Sequence, residues 1–83
     1  MNKLETLKSA VEARNAEVAD YQINIDNYER AIAKIDQEHA DKPEILKFKD
    51  QLIGLLDSSK TEQLKAIIIR DVIADQIIEL EAS

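Results

Sequence analysis

The sequence predicts an all-α protein, a long antiparallel coiled-coil hairpin that dimerises into a helical bundle. Three observations lead to this fold. Of the 83 residues, 34% are charged, and one glycine and one proline are present, a composition that favours long helices. Apolar residues recur with alternating spacings of three and four along most of the chain, which is the pattern of a coiled coil. The proline lies near the midpoint, where the chain can reverse.

The first helix is predicted over residues 3–39, with Asn2 as a candidate N-terminal cap. Its three-and-four spacing continues through five heptads without a change of register, and two members, Arg14 and His39, are neither aliphatic nor tyrosine. The frame comprises Leu4, Leu7, Val11, Arg14, Val18, Tyr21, Ile25, Tyr28, Ile32, Ile35 and His39. A frame of this length predicts the narrow seam of a coiled coil rather than the wider stripe of an amphipathic globular helix.

The chain is predicted to turn at residues 40–43 and to start a second arm at Glu44. Pro43 forces the preceding Lys42 out of helical geometry and suits the first turn of a new helix. Asp41 is the candidate cap, with Glu44 completing a variant of the capping box. A short connection makes the two arms antiparallel neighbours and pairs positions whose numbers sum to roughly 82.

The second arm is predicted as a helix over 44–56 and a helix over 60–82, with a break near 57–60. Ser59 and Glu62 match the S-x-x-E capping box that starts a helix, and the apolar pattern lapses there. One straight helix is the alternative, because a three-and-four frame continues through this region without a shift. That frame comprises Ile45, Phe48, Leu52, Leu55, Ser59, Glu62, Ala66, Ile69, Ile73, Gln76 and Leu80. Gly54 lies inside the arm and is interpreted as a point of close approach between backbones.

The C-terminal part of the second arm has more apolar residues than one seam requires. Those predicted to mediate self-association are Leu64, Ile67, Ile68, Val72, Ile77 and Ile78. Leaving five or six such side chains exposed would forgo on the order of 10 kcal/mol, so a second wall is expected. That wall must come from the short helix 44–56 folding back or from another copy of the chain. A symmetric dimer is expected, because two-fold closure is the commonest arrangement.

An acidic row follows Arg70, the last basic residue. The row comprises Asp71, Asp75, Glu79 and, on the adjacent face, Glu81. Two interpretations remain open: a solvated face compensated by Lys3, Lys8 and Arg14 of the first helix, or a docking surface for a basic partner. Carboxylates about 6 Å apart also approximate the spacing of phosphates in a nucleic-acid strand.

Arg14, Tyr21 and Glu62 are predicted to form a polar layer inside the seam. With paired positions summing to about 82, Tyr21 lies near Glu62, and Arg14 lies within a turn or two of it. Such a layer fixes the register of a coiled coil at a cost in stability. The alternative is that Arg14 and Glu62 extend to solvent from a frayed seam.

The sequence contains no catalytic, metal-binding or cofactor-binding motif. It lacks cysteine and a glycine-rich phosphate loop, and its one histidine, His39, is interpreted as a residue at the end of the first helix. A net charge of -6 disfavours direct binding of nucleic acid or anionic lipid. The apolar runs are too short for a membrane span and the N-terminus lacks the apolar core of a signal peptide, so a cytoplasmic protein is expected.

These observations predict a non-enzymatic, homo-oligomeric protein that acts by binding another protein, without a cofactor or a metal. Two alternatives remain. One is a small acidic inhibitor, of the kind that viruses encode, that blocks a nucleic-acid-binding or defence enzyme. The other is an assembly chaperone or adaptor whose apolar C-terminal face covers a helix of its partner.

Overall fold

Two long antiparallel helices joined by a short turn make up the computed structural model, which describes residues 2–83. Helix α1 spans Lys3–Glu38 and helix α2 spans Pro43–Ala82. The molecule measures 62 by 17 by 14 Å, which is two helices wide and one helix thick. The described residues contain no strand. The predicted all-α helical hairpin is therefore confirmed.

The ends of α1 follow from local hydrogen bonding. Asn2 Oδ1 accepts a hydrogen bond from the backbone N–H of Glu5 at 2.8 Å, which confirms the predicted cap. At the other end His39 is the C-terminal cap residue, and its backbone N–H donates to the carbonyl of Ile35 at 2.9 Å. The backbone N–H of Lys42 then donates to the carbonyl of His39 at 3.1 Å and closes the turn.

The start of α2 differs from the prediction by one residue. Pro43 is the first residue of the helix, and Lys42 occupies the cap position in an extended conformation with φ -108° and ψ 108°. No side chain caps this end, so the predicted Asp41 cap is wrong. Proline dictates this outcome, because it requires an extended residue immediately before it and thereby makes Lys42 the cap.

Helix α2 continues without interruption through residues 57–60. The predicted break and the separate helices 44–56 and 60–82 are corrected to one helix. A favourable cap contributes about 0.5–2 kcal/mol, which does not compensate for breaking backbone hydrogen bonds opposite an unbroken α1. Ser59 is half-buried within the helix instead of capping a new one. The interpretation of Gly54 as a point of close approach between backbones is also wrong. A Cβ built on this residue has no atom within 4 Å, so no backbone approaches it closely.

The predicted frame matches the observed burial fully on α1 and only in part on α2. All eleven residues of the α1 frame are buried or half-buried, with Ile25 and Ile35 the most buried. On α2 one half of the frame is confirmed, with Leu52 and Ala66 buried. The other half is displaced by one residue, except at Gln76, which is half-buried as predicted. Lys49, Leu56, Gln63, Arg70 and Ile77 are half-buried against α1, whereas Phe48, Leu55, Glu62 and Ile69 are exposed.

Within residues 2–83, neither helix includes a stretch with the length and apolar character needed to cross a membrane.

Candidate protein-binding surface

Hydrogen bonds between the helices hold one edge of the hairpin together. Gln63 Nε2 donates to the carbonyl oxygen of Val18 at 3.1 Å and to Gln22 Oε1 at 2.9 Å. Arg70 Nη1 donates to Asn15 Oδ1 at 3.3 Å. These partners explain why α2 turns polar residues toward α1 although apolar residues are adjacent in sequence.

Ion pairs between the helices continue along the same edge. They join Lys49 to Asp36, Lys60 to Glu29 at 3.8 Å, and Lys8 to Glu81 at 3.6 Å. The α1 side chains in these hydrogen bonds and ion pairs are seven residues apart, so they share one edge of the helix. They are Lys8, Asn15, Gln22, Glu29 and Asp36. We call this side of the hairpin the polar edge.

The opposite side of the hairpin exposes apolar residues of α2. These residues, Phe48, Leu55 and Ile69, are 48%, 48% and 49% exposed, and we call them the apolar edge. Three of the carboxylates near them are each paired with a cation of their own helix. These pairs are Glu17 with Arg14 at 2.9 Å, Glu38 with Lys34 at 3.4 Å, and Glu62 with Lys65 at 2.9 Å.

The predicted polar layer is not assembled. Arg14 and Glu62 are each bound within their own helix, and Tyr21 is half-buried without a hydrogen bond to either of them. The displaced frame explains this result, because Gln63 takes the seam position that the prediction gave to Glu62. In the sequence, a four-residue step from Ser59 leads to Gln63, whereas the predicted frame took a three-residue step to Glu62.

The six residues predicted for self-association do not share one environment. Ile67 and Ile77 are half-buried, and Ile77 belongs to the seam with α1. The other four are more than half exposed. Their exposed fractions are 56% for Leu64, 52% for Ile68, 51% for Val72 and 64% for Ile78.

The four predicted acidic residues are all exposed, and their electrostatic surroundings differ. Asp71 lies 3.2 Å from Arg70 Nε, and Glu81 lies 3.6 Å from Lys8. No ion pair in residues 2–83 involves Asp75 or Glu79. Of the cations expected to compensate the row, Lys8 therefore reaches Glu81 alone, and Arg14 is bound to Glu17.

Four exposed apolar residues and three carboxylates of the acidic row lie on the same face of α2. Each of these carboxylates follows an exposed apolar residue by one heptad: Asp71 follows Leu64, Asp75 follows Ile68, and Glu79 follows Val72. One heptad returns a helix to within about 20° of the same direction. This face points away from α1, because the buried Ala66 lies on the other side of the helix. We call Leu64, Ile68, Val72 and Ile78 with Asp71, Asp75 and Glu79 the mixed face.

The described residues enclose no pocket and contain no cluster of acidic or histidine side chains suited to a metal ion. What the hairpin offers to a ligand is an open surface of apolar area and negative charge. Comparisons with protein-family models, curated proteins and solved structures find no match for this chain. Function is therefore inferred from the residues of this surface.

Proposed function

We propose that this protein is a non-enzymatic interaction module that self-associates and binds another protein through α2. One observation carries the proposal. Eleven large apolar side chains are exposed among residues 2–83, of which ten lie on α2 and one, Ile23, lies on α1. A helix with a single neighbour needs one narrow apolar stripe, whereas apolar side chains on several sides are typical of a helix covered on more than one side.

The exposed area agrees in size with this proposal. The described chain exposes 5989 Å². A compact monomer of 9.4 kDa exposes about 5,000 Å² by the usual scaling with mass. The excess of about 1,000 Å² is comparable to the roughly 800 Å² that each partner buries in a standard interface.

The continuity of α2 supports a covering chain from outside the hairpin. A short helix 44–56 could cover the exposed apolar residues only by folding back over them. This folding back requires a break in α2, and α2 has none. A second copy or a different protein is then the remaining source. Large exposed apolar patches are characteristic of protein interaction sites.

The apolar edge is the surface best suited to self-association. A two-fold axis brings a surface against its own copy, so a surface without uncompensated charge avoids like-charge repulsion. The apolar edge comes close to this condition, since three neighbouring carboxylates are paired within the chain and Glu44 lies in the first turn of α2, where the helix dipole favours an anion. We therefore assign self-association to Phe48, Leu55 and Ile69 in place of the six residues first predicted.

The acidic inhibitor is a second candidate. It is favoured by Asp75 and Glu79, which have no ion pair within residues 2–83 and lie about 6 Å apart along the helix. Exposed Ile68 and Val72 lie among these carboxylates and favour a partner surface with apolar area over a groove that offers cations alone.

The test is the mass of the protein in solution, measured by light scattering over a hundredfold range of concentration. We expect a dimer or a larger oligomer for the wild type and a shift toward monomer for Leu55→Glu. Ile23→Glu is the matched control, because Ile23 is 59% exposed on α1, away from both edges of the seam. A wild-type monomer at every concentration would contradict self-association, and an equal effect of the two variants would contradict its assignment to the apolar edge.

A further inference from the structure

We propose that the mixed face binds a basic amphipathic helix of another protein. This inference rests on the proposed function and specifies the chemistry of the partner. The face runs from Leu64 to Glu79, about 22 Å at the rise of an α-helix, or about four helical turns. Leu64, Ile68 and Val72 lie four residues apart along this face. Apolar side chains at this spacing are commonly used when one helix recognises another.

The apolar residues of the mixed face are unpartnered within the chain. Leu64, Ile68, Val72 and Ile78 are the members, and each is more than half exposed. The polar edge and the seam connect α2 to α1 on other sides of the helix. A partner helix can therefore lie along α2 without displacing any contact of the hairpin.

The charge of the mixed face selects a cationic partner. No ion pair within residues 2–83 involves Asp75 or Glu79, and Arg70 is the last basic residue of the sequence. Both carboxylates also lie in the last two turns of α2, where negative charge opposes the helix dipole. Lysine or arginine side chains on a partner would relieve this unfavourable charge, which gives a basic helix an advantage over a neutral one.

A second copy of this chain fits the mixed face poorly. A parallel arrangement places every carboxylate beside its own counterpart. An antiparallel arrangement centred on Val72 places Lys65 opposite Glu79, but it leaves Asp75 opposite Ile69 of the second copy, where no cation faces it. A partner with cations opposite both Asp75 and Glu79 therefore complements this face better than a second copy does.

The test uses three synthetic peptides of about 20 residues, enough for the four turns of the face. The first has leucines at helical spacing flanked by lysines and arginines, the second keeps the leucines and replaces the cations with glutamates, and the third contains the residues of the first in scrambled order. Binding to the full chain is measured by fluorescence anisotropy at low and high salt. We expect the basic amphipathic peptide to bind more tightly than the other two and to weaken as salt is added.

A matched pair of variants separates the mixed face from net charge. Asp75→Lys with Glu79→Lys should weaken binding of the basic peptide about tenfold, since two favourable ion pairs become repulsive contacts. Glu12→Lys with Asp20→Lys changes the net charge equally, and both residues are exposed on α1 without an ion pair. This control should leave the affinity nearly unchanged. Ile68→Ser should weaken binding without changing the charge.

Three outcomes would overturn the inference. They are equal loss of affinity in the two charge-reversed variants, equal binding of the basic and acidic amphipathic peptides, and no binding of any peptide. Equal binding of both peptides would instead indicate an apolar docking face of the chaperone or adaptor kind, and the proposed function would stand. Light scattering of the same variants judges self-association independently, because none of them alters the apolar edge.

Discussion

Gln63 of α2 donates a hydrogen bond to the backbone carbonyl of Val18 on α1 over 3.1 Å. The same amide donates to Gln22 Oε1 at 2.9 Å, so both hydrogens of its nitrogen are used across the seam. A backbone acceptor fixes position along the helix more strictly than a flexible side chain does, because it cannot change rotamer. We infer that this contact sets the register of the hairpin.

Replacing Gln63 should therefore destabilise the hairpin. Gln63→Ala loses two cross-helix hydrogen bonds, and we expect the free energy of unfolding in urea to fall by about 1–2 kcal/mol. Gln51→Ala is the control, because the Gln51 side chain is exposed on the same helix and makes no hydrogen bond within residues 2–83. Equal effects of the two substitutions would show that the cross-helix bonds contribute little.

The displaced α2 frame predicts different roles for two adjacent leucines. Leu56 is half-buried against α1 and Leu55 is 48% exposed at the apolar edge. At a dilution that keeps the protein monomeric, Leu56→Ala should lower the thermal midpoint of unfolding markedly. Truncating a packed leucine costs about 2 kcal/mol or more. Leu55→Ala should act chiefly on the oligomer mass. The reverse order of effects would restore the frame predicted from the sequence.

A proline at residue 60 distinguishes one helix from two. If a helix began after a Ser59 cap, residue 60 would be its first position, where proline is favourable. In the continuous α2, Lys60→Pro should cost about 3 kcal/mol and reduce the helical signal in circular dichroism. Lys60→Ala is the control for loss of the pair with Glu29. A variant with proline as stable as this control would indicate a break near 57–60.

Gly54 should be replaceable by alanine with a gain in stability. A Cβ at this position meets no atom within 4 Å, so the substitution introduces no clash. Alanine is favoured over glycine inside a helix by about 1 kcal/mol. We expect Gly54→Ala to raise the urea midpoint with an unchanged slope. A loss of stability would indicate a backbone approach, and a changed oligomer mass would place residue 54 in an interface.

Charge reversal near the end of α2 should stabilise the isolated protein while it weakens binding of the basic peptide. Asp75→Lys with Glu79→Lys replaces two anions by cations near a helix C-terminus, where cations are favourable. The thermal midpoint should rise at low salt, and the gain should shrink as salt is added. A salt-independent change would mean that the substitutions act through packing.

The sequence predicted the α1 seam completely because its frame has no apolar competitor beside it. The α2 seam was half predicted, since Leu55 and Leu56 are equally apolar and hydrophobicity cannot choose between them. The coincidence of the acidic and apolar rows was also visible in the sequence, as a seven-residue step from Ile68 to Asp75. The spacing within each row does not reveal this coincidence, because it depends on the seven-residue offset between the two rows.

The sequence by itself determined two helical arms, the turn before Pro43 and the excess of apolar residues on the second arm. These features are local, because helical periodicity and the geometry of proline depend on neighbouring residues alone. The tertiary structure decided that α2 is continuous, that Gln63 rather than Glu62 enters the seam, and that the polar edge lies opposite the apolar edge. A polar side chain in a seam is stable only where the other helix supplies its hydrogen-bond partner, and the register of two distant segments determines which partner that is.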